Sequence, residues 1–227
     1  MTNLVNHRIY GDENVRPLYI LHGIFGMLDN WHLAAQQLAK DFRVVTFDAR
    51  NHGKSFHDAD SGYKAMAEDL RTLMLHLGDT QAVIMGHSMG GKTAMYFADT
   101  YPHMVEHLIV VDIAPKRYVP GHLGYFRAFK EVSLHTLNSR KEAEEAFLPY
   151  APDMGVRQFL LKNIEPLPGG GYATTGSAHL DGAVMPGCAL PERASAGRRG
   201  QPGQSGGAAR TARGVGRTSH RSPRRSA

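Results

Sequence analysis

Residues 82–90 read AVIMGHSMG: the apolar run Ala82-Val83-Ile84-Met85, then Gly86-His87-Ser88-Met89-Gly90. A short apolar run that stops at glycine suits a strand buried on both faces. The residues that follow, to Tyr101, suit a helix halted by Pro102. The G-x-S-x-G pattern therefore falls on a strand-to-helix junction, the context that gives it chemical meaning. A serine lifted onto a sharp turn needs small residues two positions away on each side, so that the backbone folds without a Cβ clash. The amide of Met89 then opens a helix N-terminus, which favours negative charge developing beside Ser88.

A rival pattern occupies the same residues. GHSMGGKT, 86–93, satisfies the phosphate-loop pattern G-x-x-x-x-G-K-[ST], and LIVVD at 108–112 imitates the strand and acid that hold magnesium in such proteins. Three features oppose it. The loop follows a third strand instead of opening the domain. The acid comes only one helix later. The glycine-bearing segments HGIFG (22–26) and NHG (51–53) are left without a role. On the serine-turn reading Lys92 is simply a helix residue.

Working outward, LYIL (18–21), RVVTFD (43–48) and LIVV (108–111) read as further strands. A helix is expected over 31–38, capped by Asp29 or Asn30, and another from Tyr63, with Met66, Leu70, Leu73 and Leu77 on one face and Gly78 as its stop. Strand and helix in alternation predict an α/β fold with a parallel sheet covered on both faces, and sites at the carboxyl ends of the strands. His22, Asp48, Ser88 and Asp112 all fall there. Residues 116–171 read as helices without strands: one lined by Phe126, Phe129 and Val132, one opened by a Ser139–Glu142 capping box, and one over 156–164. Such an insertion suggests a lid.

HGIFG after the first central strand supplies the second half of an oxyanion hole, through the amide of Ile24 or Phe25. His22 precedes the serine and is expected to brace the turn instead of acting as a base. Asp48, Arg50, Asn51, His52, Gly53 and Ser55 read as a hydrogen-bonded turn, and Trp31, the one tryptophan, as core or pocket wall.

LHGIFGMLDNW, FDARNHGKSFH, GHSMGGKTAM and IVVDIAPKRY together resemble the YbfF-type bacterial esterases of the α/β-hydrolase superfamily, over residues 5–171. The resemblance implies hydrolysis of acyl esters or thioesters through an acyl-serine, with no cofactor and no metal. It also implies Asp112 as the acid of the triad. The bland alternative for Asp112 is a cap on the turn into Ala114-Pro115.

The organisation expected is a core over 1–115, a helical lid over 116–171, and a tail over 172–227. The formal net charge of +5 belongs to that tail: residues 173–227 hold nine arginines, no lysine, and only Asp181 and Glu192. A composition with ten glycines and no aromatic residue there predicts disorder. Nucleic acid is accordingly not an expected partner of the core, although a scaffold whose basic tail binds anions remains an alternative. The fold's chain order puts the base after the acid, yet the tail offers only His179 and His220 and no final strand. The core is thus expected to be incomplete at its C-terminal strands and its activity impaired. A reading-frame shift near codon 172 would produce this switch, and the coding DNA in the other frames tests it. The start lacks a signal-peptide pattern, and no apolar run reaches the roughly 18–20 residues of a membrane span. The single Cys188 excludes an internal disulfide and a cysteine-built metal cluster. A cytoplasmic enzyme acting on a small-molecule ester is expected, its oligomeric state open.

Overall fold

The computed structural model describes residues 3–116, 118 and 121–175. β1 (His7–Tyr10), β2 (Pro17–Leu21), β3 (Arg43–Phe47), β4 (Ala82–His87) and β5 (Val105–Val111) form one sheet in the order β1-β3-β2-β4-β5. β2, β3, β4 and β5 pair in parallel, whereas β1 pairs antiparallel with β3. The sheet is therefore mixed at one edge, an addition to the all-parallel reading. β1 (HRIY) has only partly buried or exposed residues, so it carries no apolar run to betray it.

Strand period fixes the two faces. Tyr19, Leu21, Val45, Phe47 and Ile84 pack with Leu70, Leu73, Ala94 and Phe97 of α2 (Tyr63–His76) and α3 (Met89–Thr100). Leu18, Ile20, Val44, Val83 and Met85 pack with Ala35 of α1 (His32–Leu38) on the other face. Successive residues point to opposite faces, so both sets come from the same strands. Burying each large aliphatic side chain contributes about 1.5–3 kcal/mol, and this double-sided burial is what makes β2 and β4 the rigid centre.

Several boundaries differ from expectation. A 3-10 turn, Leu28–Trp31, precedes α1, whose N-cap is Trp31 without a side-chain cap; Asn30 instead accepts a hydrogen bond from the Met27 amide, at 2.6 Å. Gly78 does stop α2, at φ +81°. Beyond β5 come α4 (Leu123–Glu131), α5 (Arg140–Phe147) and α6 (Met154–Leu160), with Ser139 capping α5 by accepting from the Glu142 amide. The helix expected over 156–164 ends at Leu160 and passes through a 3-10 turn, Leu161–Asn163.

The expectation of helices without strands is overturned by a small antiparallel hairpin, β6 (Ile164–Pro166) with β7 (Tyr172–Thr174). The first residues of the tail expected from Tyr172 are thus a strand of this hairpin. Three-residue strands leave no readable period. Their connection uses Gly169, Gly170 and Gly171, all at positive φ, and a methyl on Gly171 would collide with the His135 carbonyl. The rest of the expected tail, from residue 176 onward, lies outside the described residues, with His179, Cys188 and His220.

Candidate active site

Ser88 sits between β4 and α3 at φ +50°, ψ −112°, a conformation that costs a non-glycine residue on the order of 1–3 kcal/mol. The surroundings enforce it. A methyl on Gly86 would run into the backbone of Gly90, and one on Gly90 into the carbonyls of Leu21 and His22. The glycines two residues to either side of Ser88 are thus required by close backbone approach. The Ser88 amide donates to the Val111 carbonyl at 3.1 Å, tying the turn to β5, and its carbonyl accepts from Lys92 N at 3.0 Å, starting the helix. Ser88 itself is partly exposed at the carboxyl end of the sheet.

Residues 22–26 lie against this turn. A methyl on Gly23 would stand 3.3 Å from Cβ of Ser88 and 2.9 Å from Nδ1 of His87. The segment closes on itself through Gly26 N donating to Gly23 O at 2.9 Å, with Ile24 and Phe25 as its central residues and Phe25 at φ +59°. Their amides take no part in that closing bond. The Met89 amide lies in the first turn of α3, where amides lack an intrahelical partner. All three expected donors are therefore on the two backbone segments that meet beside Ser88.

His22 braces, as expected. Its Nδ1 donates to the Gly23 carbonyl at 2.8 Å and its Nε2 accepts from the Ala49 amide at 3.0 Å, which joins the ends of β2 and β3. Burial pushes its pKa down to about 4, so the ring is neutral near pH 7. His52 packs 5.0 Å away, donates Nδ1 to the Arg50 carbonyl at 2.9 Å, and is pushed down to about 3 by burial, then by His22. Asp48 is buried and accepts from the amides of Leu28 and Lys54 and from Asn6. A methyl on Gly53 would overlap the Asp48 carboxylate, and Ser55 donates to the Asp48 carbonyl at 2.6 Å. Arg50 grips Asp69 through two bonds of 2.6 and 2.8 Å. Asn51 is buried and bonded to both the amide and the carbonyl of Asp58. This loop is a hydrogen-bonded turn held largely by its own side chains, although Nε2 of His52 is buried without a hydrogen-bond partner among the described residues.

Asp112 ends β5 at φ +54° with its side chain 87% exposed, and its carboxylate stands 3.8 Å from Nε2 of His87. Trp31 approaches the same His87 ring edge-on at 6.4 Å and otherwise joins the α1 side of the core. The His87–Asp112 approach had no signal in the sequence, because position x of G-x-S-x-G tolerates any residue. Lys92 is buried: its ammonium donates to the Lys116 carbonyl at 2.5 Å and lies 5.1 Å from the Tyr118 ring centroid. An ammonium committed to a backbone carbonyl on the strap after Asp112 is a packing element, which counts against the phosphate-loop reading. A cavity of about 10 Å³ beneath the turn, lined by Leu21, His22, Met66, Asp69 and Thr93, has room for about one water and none for a substrate.

Among the described residues no group of three or more His, Cys, Asp or Glu could hold a metal ion. No helix there is long and apolar enough to cross a membrane.

Residues 16–152 match the family model described as alpha/beta hydrolase fold. The chain is 42% identical over 163 residues to the sn-1-specific diacylglycerol lipase ABHD11 of Mus musculus, an alignment covering 68% of this chain and 53% of that protein. It is 36% identical over 152 residues to the esterase YbfF of Escherichia coli, covering 66% and 60%. The solved structure of a marine microorganism esterase superposes with a TM-score of 0.74 at 39% identity, over 78% of this chain and 70% of that one. The chain thus spans little more than half the length of the two curated relatives.

Proposed function

Because this chain belongs to the α/β-hydrolase fold family, we propose that it is a serine hydrolase cleaving acyl esters or thioesters through an acyl-Ser88 intermediate. The observation that carries the reading is the strained, glycine-enforced turn that presents Ser88, with the 22–26 segment packed beside it. Relatives named esterase and lipase support an ester as the scissile group.

In the reaction the Ser88 hydroxyl oxygen adds to the acyl carbon while its proton passes to a base. The oxyanion is held by the Met89 amide together with that of Ile24 or Phe25, where prepositioned donors stabilise charge as it forms. Collapse expels the alcohol or thiol, which takes up the proton, and water then cleaves the acyl-serine by the same steps. Asp112 is the acid that orients the base. The fold's chain order puts that base after Asp112. Of the four histidines after Asp112, His122 and His135 belong to the helical segment, His122 with its ring 6.5 Å from that of Phe25, and His179 and His220 lie outside the described residues; His87, which does face Asp112, precedes it. Loss of one triad member costs several orders of magnitude in rate, with oxyanion stabilisation carrying a remainder. Turnover by the 227-residue chain is accordingly slow. The helical segment over 116–171 serves as the lid above the core of residues 1–115, and its aromatic residues around Phe25 offer an apolar wall to an acyl chain.

Hydrolysis of 4-nitrophenyl esters of increasing acyl length tests the reading. Slow turnover that Ser88→Ala abolishes supports it. Equal rates in the two proteins contradict the acyl-Ser88 mechanism, and brisk turnover by the unmodified chain contradicts the slow turnover expected and assigns the base to one of its own histidines.

A further inference from the structure

We infer that Asn163 is a positioning residue for the oxyanion segment, so that the helical lid and the 22–26 turn behave as one mechanical unit; its catalytic consequence rests on the hydrolase reading above. Asn163 ends the 3-10 turn before β6 and is fully buried. Its side-chain amide donates to the Phe25 carbonyl at 2.9 Å, across 138 residues of sequence, and to the Leu160 carbonyl at 3.2 Å.

The Phe25 carbonyl is a telling place to grip. Phe25 holds a left-handed backbone (φ +59°) that a residue with a Cβ adopts only when its surroundings impose it. One peptide plane at that residue carries the amide that is a candidate oxyanion donor, and the other carries the carbonyl that Asn163 holds. Fixing the second plane limits rotation about Phe25 and so limits the first. The side chain is gripped as well: the Phe25 ring lies 4.6 Å from that of Phe126 and 5.8 Å from that of Phe129, both on α4. Both grips come from the lid, and none from the sheet. The β6–β7 hairpin steadies the clamp in turn, through Thr175 N donating to the Asn163 carbonyl at 2.7 Å. A short hairpin with no visible role in the core therefore acquires one. It anchors the residue that sets the turn.

The test uses the full chain and three variants. Leu161→Ala, two residues away and equally buried, is the packing control. In Asn163→Ala, hydrogen exchange at the Gly26 amide, which closes the turn, is expected to accelerate about tenfold or more, while Ile20 and Ile84 in the sheet keep their protection. Leu161→Ala is expected to leave the Gly26 rate within about twofold of the unmodified chain. Asn163→Asp adds a pH signature. Its carboxyl can donate to the Phe25 carbonyl only when protonated, so phosphonylation of Ser88 by a fluorophosphonate, relative to the unmodified chain at the same pH, should recover as pH falls. Asn163→Ala should stay low throughout.

Unchanged Gly26 exchange in Asn163→Ala overturns the clamp, and so does an equal loss in Leu161→Ala. A flat relative pH profile in Asn163→Asp overturns the donor role of the side chain. Failure of the unmodified chain to label at all sinks the hydrolase reading and the catalytic consequence, while the exchange measurement still decides the clamp.

Discussion

Ser88 and Asp112 stand at the ends of neighbouring strands, yet they are held in opposite ways. β4 is flanked by β2 and β5, its residues 82–86 are all buried, and the turn after it is wedged by backbone contacts at Gly86 and Gly90. Among the described residues β5 is the outer strand of the sheet, Leu108 and Ile109 are 39% and 42% exposed, and the Asp112 side chain is 87% exposed. The backbone that carries the Ser88 hydroxyl is thus fixed by packing, whereas the Asp112 carboxylate stands out in water. A carboxylate bathed in water interacts weakly even with a charge a few ångströms away, because the effective dielectric is high. Its hold on His87, 3.8 Å away, is correspondingly loose. The placements of Ser88 and Asp112 are thus separable, and only the first is built into the sheet's centre.

That contrast can be broken at several points. The largest effect is expected at the turn: Gly90→Ala pushes a methyl into the Leu21 carbonyl, so at least about 3 kcal/mol of stability, or the fold itself, should be lost in urea denaturation. Gly124→Ala in α4, where a methyl meets nothing, should instead gain up to about 1 kcal/mol. If the two behave alike, the turn is not wedged as described.

The next effect is pH-dependent. His22 and His52 are neutral when folded, with pKa values pushed down to about 4 and about 3 from the ordinary 6.5. The unfolded chain therefore binds protons that the folded chain refuses. Their contribution is complete above about pH 6.5 and is lost as pH falls towards 4 and then 3, with a slope of up to about 1.4 kcal/mol per pH unit for each ring. Urea midpoints at pH 7 and pH 5 should show the decline, and a His22→Gln chain should show a shallower one.

Lys92 links the two regions, since it rises from α3 behind Ser88 and holds the strap that follows Asp112. Lys92→Met removes that bond, and since Lys116 is exposed and water can meet its carbonyl, the cost is about 0.5–1.5 kcal/mol in the same assay. At the small end, Asp112→Asn should change stability by less than about 0.5 kcal/mol, because the side chain is almost wholly in water. A larger loss would show the acid to be better anchored than its exposure indicates.

What could be read from sequence follows the same division. β2 and β4 announce themselves because strands buried on both faces carry apolar runs, β3 through its β-branched Val44, Val45 and Thr46, and the turn at Ser88 because its glycines are forced by clashes only two residues away. The bracing role of His22 was also legible, from its place at a strand end. Hidden were β1, a half-exposed edge strand of mixed residues, and the three-residue strands β6 and β7, too short to show a period. The grip of Asn163 on Phe25 and the approach of His87 to Asp112 depend on tertiary geometry that no local pattern encodes. Local rules found the part of the site that local sterics build.

A fold that presents the Ser88 oxygen for attack must also offer it to a phosphonylating reagent. The deciding experiment is prolonged exposure of the chain to an aryl fluorophosphonate, followed by mass spectrometry of the peptide containing residue 88. One adduct on Ser88, absent from Ser88→Ala and from the urea-unfolded chain, is the predicted result. No adduct, or one that forms equally fast on the unfolded chain, would contradict it.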